Sequence, residues 1–233
     1  MKRLLNTIIK ELSKEIFKNQ SGFKNNIVDL FHSVFLKNNF KTIKGNIKLN
    51  GIGIKHDKLE TRSNTKDKIS SFYIERSTPD YLLPIINDNK KAIHDYLGKN
   101  FQIEYSMFFR NYNIPDYLET FNVYSNVWHQ DSHDGFKLLK IFVLLHDTTD
   151  DDGPFFFLER KDTIKHWNKL RDRFGFHQSV EKKIMKFDEE KKFTGKKGDY
   201  LIINTSNCMH RASIPKNYRD MVQILLYPNW IKK

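Results

Sequence analysis

The sequence holds one cysteine, Cys208, among 233 residues. No internal disulfide can form, which excludes a disulfide-stapled secreted scaffold and makes a reducing, cytoplasmic compartment the expectation. Glycine and proline are also scarce, at 10 and 6 residues. Collagen-like and Pro/Gly-rich low-complexity classes are thereby excluded. Long apolar runs are missing: the longest, Ile141–Leu145, falls far short of the ~20 residues that span a bilayer. Lys2 and Arg3 open the chain as they would a signal peptide, but Asn6, Thr7, Lys10 and Glu11 interrupt any apolar stretch, and no leader is expected. No glycine-rich phosphate loop follows a strand, which disfavours the nucleotide-binding βαβ folds.

What is present points to a folded enzyme-sized unit. Aromatic residues make up 14% and hydrophobic residues 39% of the chain, enough to exclude disorder. The length fits a single domain over 1–233 with a sizeable core. Lysine plus arginine number 40 against 28 aspartate plus glutamate, a formal charge of +12. The basic residues run from Lys2 to Lys233 without gathering into a block, so they read first as a solvated surface. No nucleic-acid motif is readable, and nucleic acid is not the expected partner.

Apolar residues from Leu4 to Phe17 recur at helical spacing, and a second helical stretch lies near Ile27–Leu36. Residues 1–18 could rest on a membrane surface, but packing the stripe against the domain is the preferred expectation. The segment 55–68 reads as a loop. Pro79 opens a helix that runs through Leu97 to a stop at Gly98. The period then changes to two, with Phe101, Ile103, Tyr105, Met107 and Phe109 alternating with their neighbours. Further strand candidates are Thr120–Trp128, Leu138–His146, Pro154–Leu158, Tyr200–Asn204 and Asp220–Tyr227. Asp162 stands as the cap of a helical insertion near 162–187. The chain thus reads as a mostly helical portion over 1–98 and a β core over 99–233, an antiparallel sandwich or barrel.

Within that core, His129-Gln130-Asp131 follows directly on the candidate strand Thr120–Trp128. Residues i and i+2 of a strand share a side, so an imidazole and a carboxylate converge there as two-thirds of a facial triad for non-haem Fe(II). The third ligand must come from a distant strand. His210, after the Gly198-Asp199 turn and the next strand, is the first candidate, and His146 the second. Arg219 follows His210 at the start of the last strand, where its planar fork suits a carboxylate. Lys140 interrupts the run Leu138–Leu145, where an unpaired ammonium is costly; one reading is that it marks an outward-facing side. His133 is a candidate acid or base on the substrate side, with an ordinary loop histidine as the plainer alternative. Cys208 has no base–orienter pair around it and is not read as a nucleophile.

The series Trp128-His129-Gln130-Asp131, Gly153-Pro154, Gly198-Asp199, His210 and Arg219 resembles the phytanoyl-CoA dioxygenase family, a branch of the Fe(II)- and 2-oxoglutarate-dependent oxygenases. The resemblance covers roughly residues 100–230. It implies a double-stranded β-helix, or jelly roll, with flanking helices. It implies iron on His129, Asp131 and His210, with 2-oxoglutarate anchored by Arg219 and touched by Gln130. On that resemblance the other reading of Lys140 is that it reaches a cosubstrate carboxylate. The chain departs from the family at three places. Ala212 stands where the family often has Ser or Thr, the step from His210 to Arg219 is about two residues short, and Glu159-Arg160-Lys161-Asp162 replaces a Pro-Gly-Ser-His turn. A shift of two keeps a strand side chain on its face.

The activity so implied is hydroxylation of an unactivated C–H of a small molecule (a lipid, sugar, amino-acid or natural-product intermediate), using O2 and releasing succinate and CO2. Retention of Asp131 favours hydroxylation over the chlorination of related halogenases, which lack the carboxylate. The alternative is a non-enzymatic jelly-roll module whose basic surface binds nucleic acid or anionic lipid.

Overall fold

The computed structural model describes residues 40–61, 69–114, 125–131, 137–166 and 186–228, and the structural statements below concern these. Ten strands are present among them: β1 (Ile43–Asn46), β2 (Glu60–Thr61), β3 (Ser70–Glu75), β4 (Gln102–Tyr112), β5 (Leu139–Leu144), β6 (Phe155–Phe157), β7 (Lys191–Phe193), β8 (Asp199–Ile203), β9 (His210–Arg211) and β10 (Tyr218–Tyr227). Three α-helices accompany them: α1 (Leu83–Asp88), α2 (Lys90–Leu97) and α3 (Arg160–Lys165).

The strands form two antiparallel sheets. The larger has the order β1-β8-β5-β10-β4-β3-β2 and the smaller β7-β6-β9. Alternation along the large sheet divides its side chains between two cores. Phe142, Leu144, Leu201, Ile203 and Met221 point toward the small sheet and meet Phe155, Phe157 and Phe193. Ile141, Val143, Ile202, Val222 and Ile224 point the other way and pack with Leu82, Ile85, Ile93 and Leu97 of the helical segment. Two sheets face to face, with helices on the outer face of the larger, make the jelly roll that the resemblance implies. Because both faces of β5 are covered, all six of its residues are buried and its sequence is apolar apart from Lys140.

Several boundaries differ from the sequence reading. The helix expected from Pro79 to Leu97 is broken at Asn89, whose side-chain amide donates to Ile85 O at 2.8 Å and to Tyr200 Oη at 3.0 Å. The stop at Gly98 is present, with φ +99°. The cap of α3 is Glu159, not Asp162: Asp162 N already donates to Glu159 O at 3.0 Å, which places Asp162 inside the helix. Strands β1, β2, β3, β7 and β9 are too short or too polar to announce themselves, yet β1 and β3 extend the large sheet on both sides. The helices read at 1–36, most of the strand at 120–128 and most of the insertion at 162–187 lie outside the described residues. Among the described residues no helix is long and apolar enough to cross a membrane.

Candidate metal centre

His210 stands in β9, which pairs with β6 on one side. On its other side His129 lies directly opposite, His129 N donating to His210 O at 3.0 Å and His210 N to His129 O at 2.9 Å. Residues opposed in an antiparallel pair share a face. The two imidazoles accordingly come within 4.2 Å, centroid to centroid, and Asp131 joins them as i+2 of His129. Among the described residues, His129, Asp131 and His210 are the group of ligand atoms close enough to hold a metal ion, all within 4.8 Å of one another.

Both rings are oriented in the same way. His129 donates from Nδ1 to Val127 O at 2.8 Å, and His210 from Nδ1 to Cys208 O at 2.9 Å. A carbonyl only accepts, so Nδ1 carries a proton in each ring and Nε2 is the atom whose lone pair the neutral imidazole offers to a cation. Those Nε2 atoms face the carboxylate: His129 Nε2 lies 3.8 Å from Asp131 Oδ1 and His210 Nε2 lies 3.4 Å from Asp131 Oδ2. Two neutral imidazoles and one carboxylate at these separations suit a single cation with bonds of about 2.0–2.2 Å.

The loop 204–209 supports this geometry. It is buried throughout, although four of its residues, Asn204, Thr205, Ser206 and Asn207, are polar. Asn204 organises it: its Oδ1 accepts from Ser206 N at 3.0 Å and Oγ at 2.6 Å, and its amide donates to Tyr96 Oη on α2. Thr205 O in turn accepts from Asp131 N at 3.0 Å, while Met209 N donates to Thr163 Oγ1 at 3.0 Å. One loop therefore fixes both the carboxylate and the second histidine.

Lys140 completes the cluster. It faces inward from β5, flanked across the strands by Ile203 and Leu225, and its Nζ lies 2.7 Å from Asp131 Oδ2. Burial works to raise the Asp131 carboxyl, but the charge of Lys140, with the two histidines, outweighs it and holds the group far below the usual carboxylate range. Burial pushes His210 down to about 3, with His129 in the same direction. The metal-free site thus holds an ionised Asp131 in contact with Lys140, with His210 held toward its neutral form.

The other candidates fall as follows. Gln130 is buried between the two proposed ligands in sequence. Arg219 is buried on the inward side of β10, where it donates from Nη2 to Asn111 Oδ1 at 3.0 Å and from Nη1 to Gly153 O. His146 is not part of the cluster. Lys140 beside Asp131 starts β5, and His146 lies six residues further on, about 20 Å along an extended chain, against the Tyr218 ring. Of the two readings of Lys140, the outward-facing side is excluded. His133 lies outside the described residues. Cys208 is buried and its thiol pushed up by that burial, so it stays protonated. Ser213 does not replace the hydroxyl missing at Ala212: it donates to Pro154 O at 2.6 Å. Asn111 and the orienting carbonyls of Val127 and Cys208 carry no sequence signal; the pairing of Lys140 with Asp131 had one, since Lys140 shares parity with Phe142 and Leu144.

No protein-family model matches the chain, and no curated protein matches it in sequence. Solved structures do. The chain is similar to EctD from S. alaskensis with bound Fe, at 13% identity over 84% of this chain and 74% of that one, with a TM-score of 0.50. It is similar to HygX from Streptomyces hygroscopicus with nickel, 2-oxoglutarate and hygromycin B bound, at 14% identity over 84% and 86% of the two chains, with a TM-score of 0.48. The likeness to EctD is one of fold.

Proposed function

We propose that this protein is an Fe(II)- and 2-oxoglutarate-dependent dioxygenase that hydroxylates an unactivated C–H of a small molecule. The observation that carries the reading is the buried His129–Asp131–His210 cluster, with both Nε2 atoms turned to the carboxylate. Two histidines and one carboxylate on one side of a cation, with the remaining positions open, form the ligand set of non-haem Fe(II) oxygenases. The jelly-roll fold, which EctD with bound Fe shares, and the series from His129 to Arg219 support the same reading. The motif order favours the phytanoyl-CoA dioxygenase branch.

In this account His129, Asp131 and His210 hold the iron. Arg219, and with it Gln130 and Lys140, bind 2-oxoglutarate. When bound, iron and 2-oxoglutarate would activate O2, one oxygen atom ending in succinate as CO2 is released and the other in the hydroxylated substrate. The protein's own part is to fix the ligands, to hold a dicarboxylate by charge and to keep water out of a buried site. Arg219 is braced by Gly153 O and Asn111 Oδ1, so its remaining N–H directions are set in advance. His133 is the proposed substrate-side residue.

The basic-surface binding module is not favoured. Lys191, Lys192, Lys196 and Lys216 are each paired with an acid, Glu159, Asp150, Asp147 and Asp151 respectively, rather than aligned as an open basic strip. The test is turnover. Purified protein with Fe(II), O2 and 2-oxoglutarate, offered a panel of small molecules, forms succinate and a product heavier by one oxygen; Asp131→Ala forms neither. Equal succinate from wild type and Asp131→Ala contradicts the assignment.

A further inference from the structure

Lys140 is the one charged residue of β5, and its ammonium touches a carboxylate assigned above as a metal ligand. In the metal-free protein this contact makes sense by itself. An ammonium facing inward between Ile203 and Leu225 needs a counter-charge, and Asp131 supplies it. The same contact opposes a divalent cation. The three proposed ligands include one carboxylate, and the Lys140 ammonium already lies 2.7 Å from it, so a divalent cation there places its charge beside a buried ammonium with no further carboxylate among the ligands to offset it. Lys140 is itself buried, with Ile203 and Leu225 opposite it on the neighbouring strands. Like charges at short range in such surroundings repel far more strongly than in water.

A dianionic ligand reverses the balance. Two carboxylates arriving with the metal restore neutrality, and Lys140 can exchange Asp131 for the incoming anion. We propose that Lys140 couples metal and dicarboxylate binding: it weakens the affinity of the site for the metal alone and makes the cosubstrate a condition of tight metal retention. The cosubstrate in turn gains affinity from the metal by the same factor, since binding couplings are reciprocal. Lys140 is here a positioning residue that acts through charge, and the inference rests on the reading of His129, Asp131 and His210 as the metal ligands.

Binding rather than turnover tests it. Co(II) is titrated under nitrogen into wild type, Lys140→Gln and Lys140→Arg, with and without 2-oxoglutarate, by calorimetry and by the cobalt absorption spectrum. Lys140→Gln removes the charge but keeps a hydrogen-bond donor for Asp131; circular dichroism and a thermal melt check its fold, and Lys140→Asn, which also keeps a donor, replaces it if it does not fold. Wild type is expected to gain at least about tenfold in Co(II) affinity when 2-oxoglutarate is added. Lys140→Gln is expected to bind Co(II) alone at least about tenfold more tightly than wild type and to gain much less from 2-oxoglutarate. Lys140→Arg keeps the charge and follows wild type. If Lys140→Gln binds Co(II) alone no more tightly than wild type, or gains as much from 2-oxoglutarate, the coupling is overturned while the metal centre stands. If wild type binds no Co(II) under either condition, the metal centre itself falls, and the coupling with it.

Discussion

His129 and His210 exchange both of their backbone hydrogen bonds, and each ring donates from Nδ1 to the carbonyl two residues before it. The pair is therefore placed by a β bridge and oriented by two local bonds before any metal arrives. Each histidine is expected to ligate through Nε2. His129→Ala or His210→Ala should abolish metal-dependent stabilisation while leaving far-UV circular dichroism close to wild type. Retention of metal binding by either variant would show that the paired rings are not both ligands.

Asp131 and Lys140 form a buried pair, so removing one member strands the other. Asp131→Leu alone or Lys140→Met alone should destabilise the metal-free protein by about 3–5 kcal/mol, and the double variant carrying both should recover much of that loss. Urea denaturation of the two single variants and the double one measures the coupling. Additive losses would mean that the 2.7 Å contact contributes nothing of its own.

The pH dependence of the metal-free protein has a definite sign. His210 titrates near 3 when folded against an ordinary value of 6.5, so below about pH 6.5 the unfolded chain takes up a proton that the folded one refuses. Stability is full above that range and falls as pH drops toward 3, by at most about 1.4 kcal/mol per pH unit from this group. Asp131, held low by Lys140, adds a further loss as pH falls below its ordinary value of 3.8. Thermal melts between pH 7 and pH 4 should show the decline, and His210→Asn should flatten it. An unchanged slope in that variant would assign the decline to other groups.

Gly153 carries the turn that braces Arg219. Its φ is +69°, and a Cβ there would sit 2.6 Å from Pro215 N and 2.7 Å from Ser213 O. Gly153→Ala should therefore lose about 1–3 kcal/mol of stability, from backbone strain and crowding together. Because Arg219 donates to Gly153 O, the same change should weaken 2-oxoglutarate binding. Arg219→Lys should weaken it too, since an ammonium lacks the planar fork. Calorimetric titration of 2-oxoglutarate into the metal-loaded variants checks both. Unchanged affinity in Arg219→Lys would remove Arg219 from the cosubstrate site.

Much of the site was legible in the sequence because its residues obey strand parity. His129 and Asp131 are i and i+2, and Lys140 alternates with Phe142 and Leu144 on the inward face. Strands β5, β8 and β10 were readable since burial on both faces leaves nearly continuous apolar runs. What could not be read depends on contacts across the fold. Strands β1 and β3 are held by their neighbours in the large sheet rather than by their own pattern. Asn89 breaks a helix that the periodicity carries straight through, because its amide reaches Tyr200 on another element. Asn204 looks like any loop asparagine until Tyr96 and Ser206 are brought to it. His210 ranked ahead of His146 in the sequence, but the bridge that sets its ring beside His129 pairs residues 81 positions apart and has no local pattern.

The most direct measurement is a thermal-shift experiment under nitrogen with Fe(II), 2-oxoglutarate, or both, on wild type and His129→Ala. Wild type should be stabilised most by the two ligands together, and His129→Ala should lose that joint stabilisation. No shift in wild type, or the same shift in both proteins, would contradict an iron and 2-oxoglutarate site at His129, Asp131 and His210.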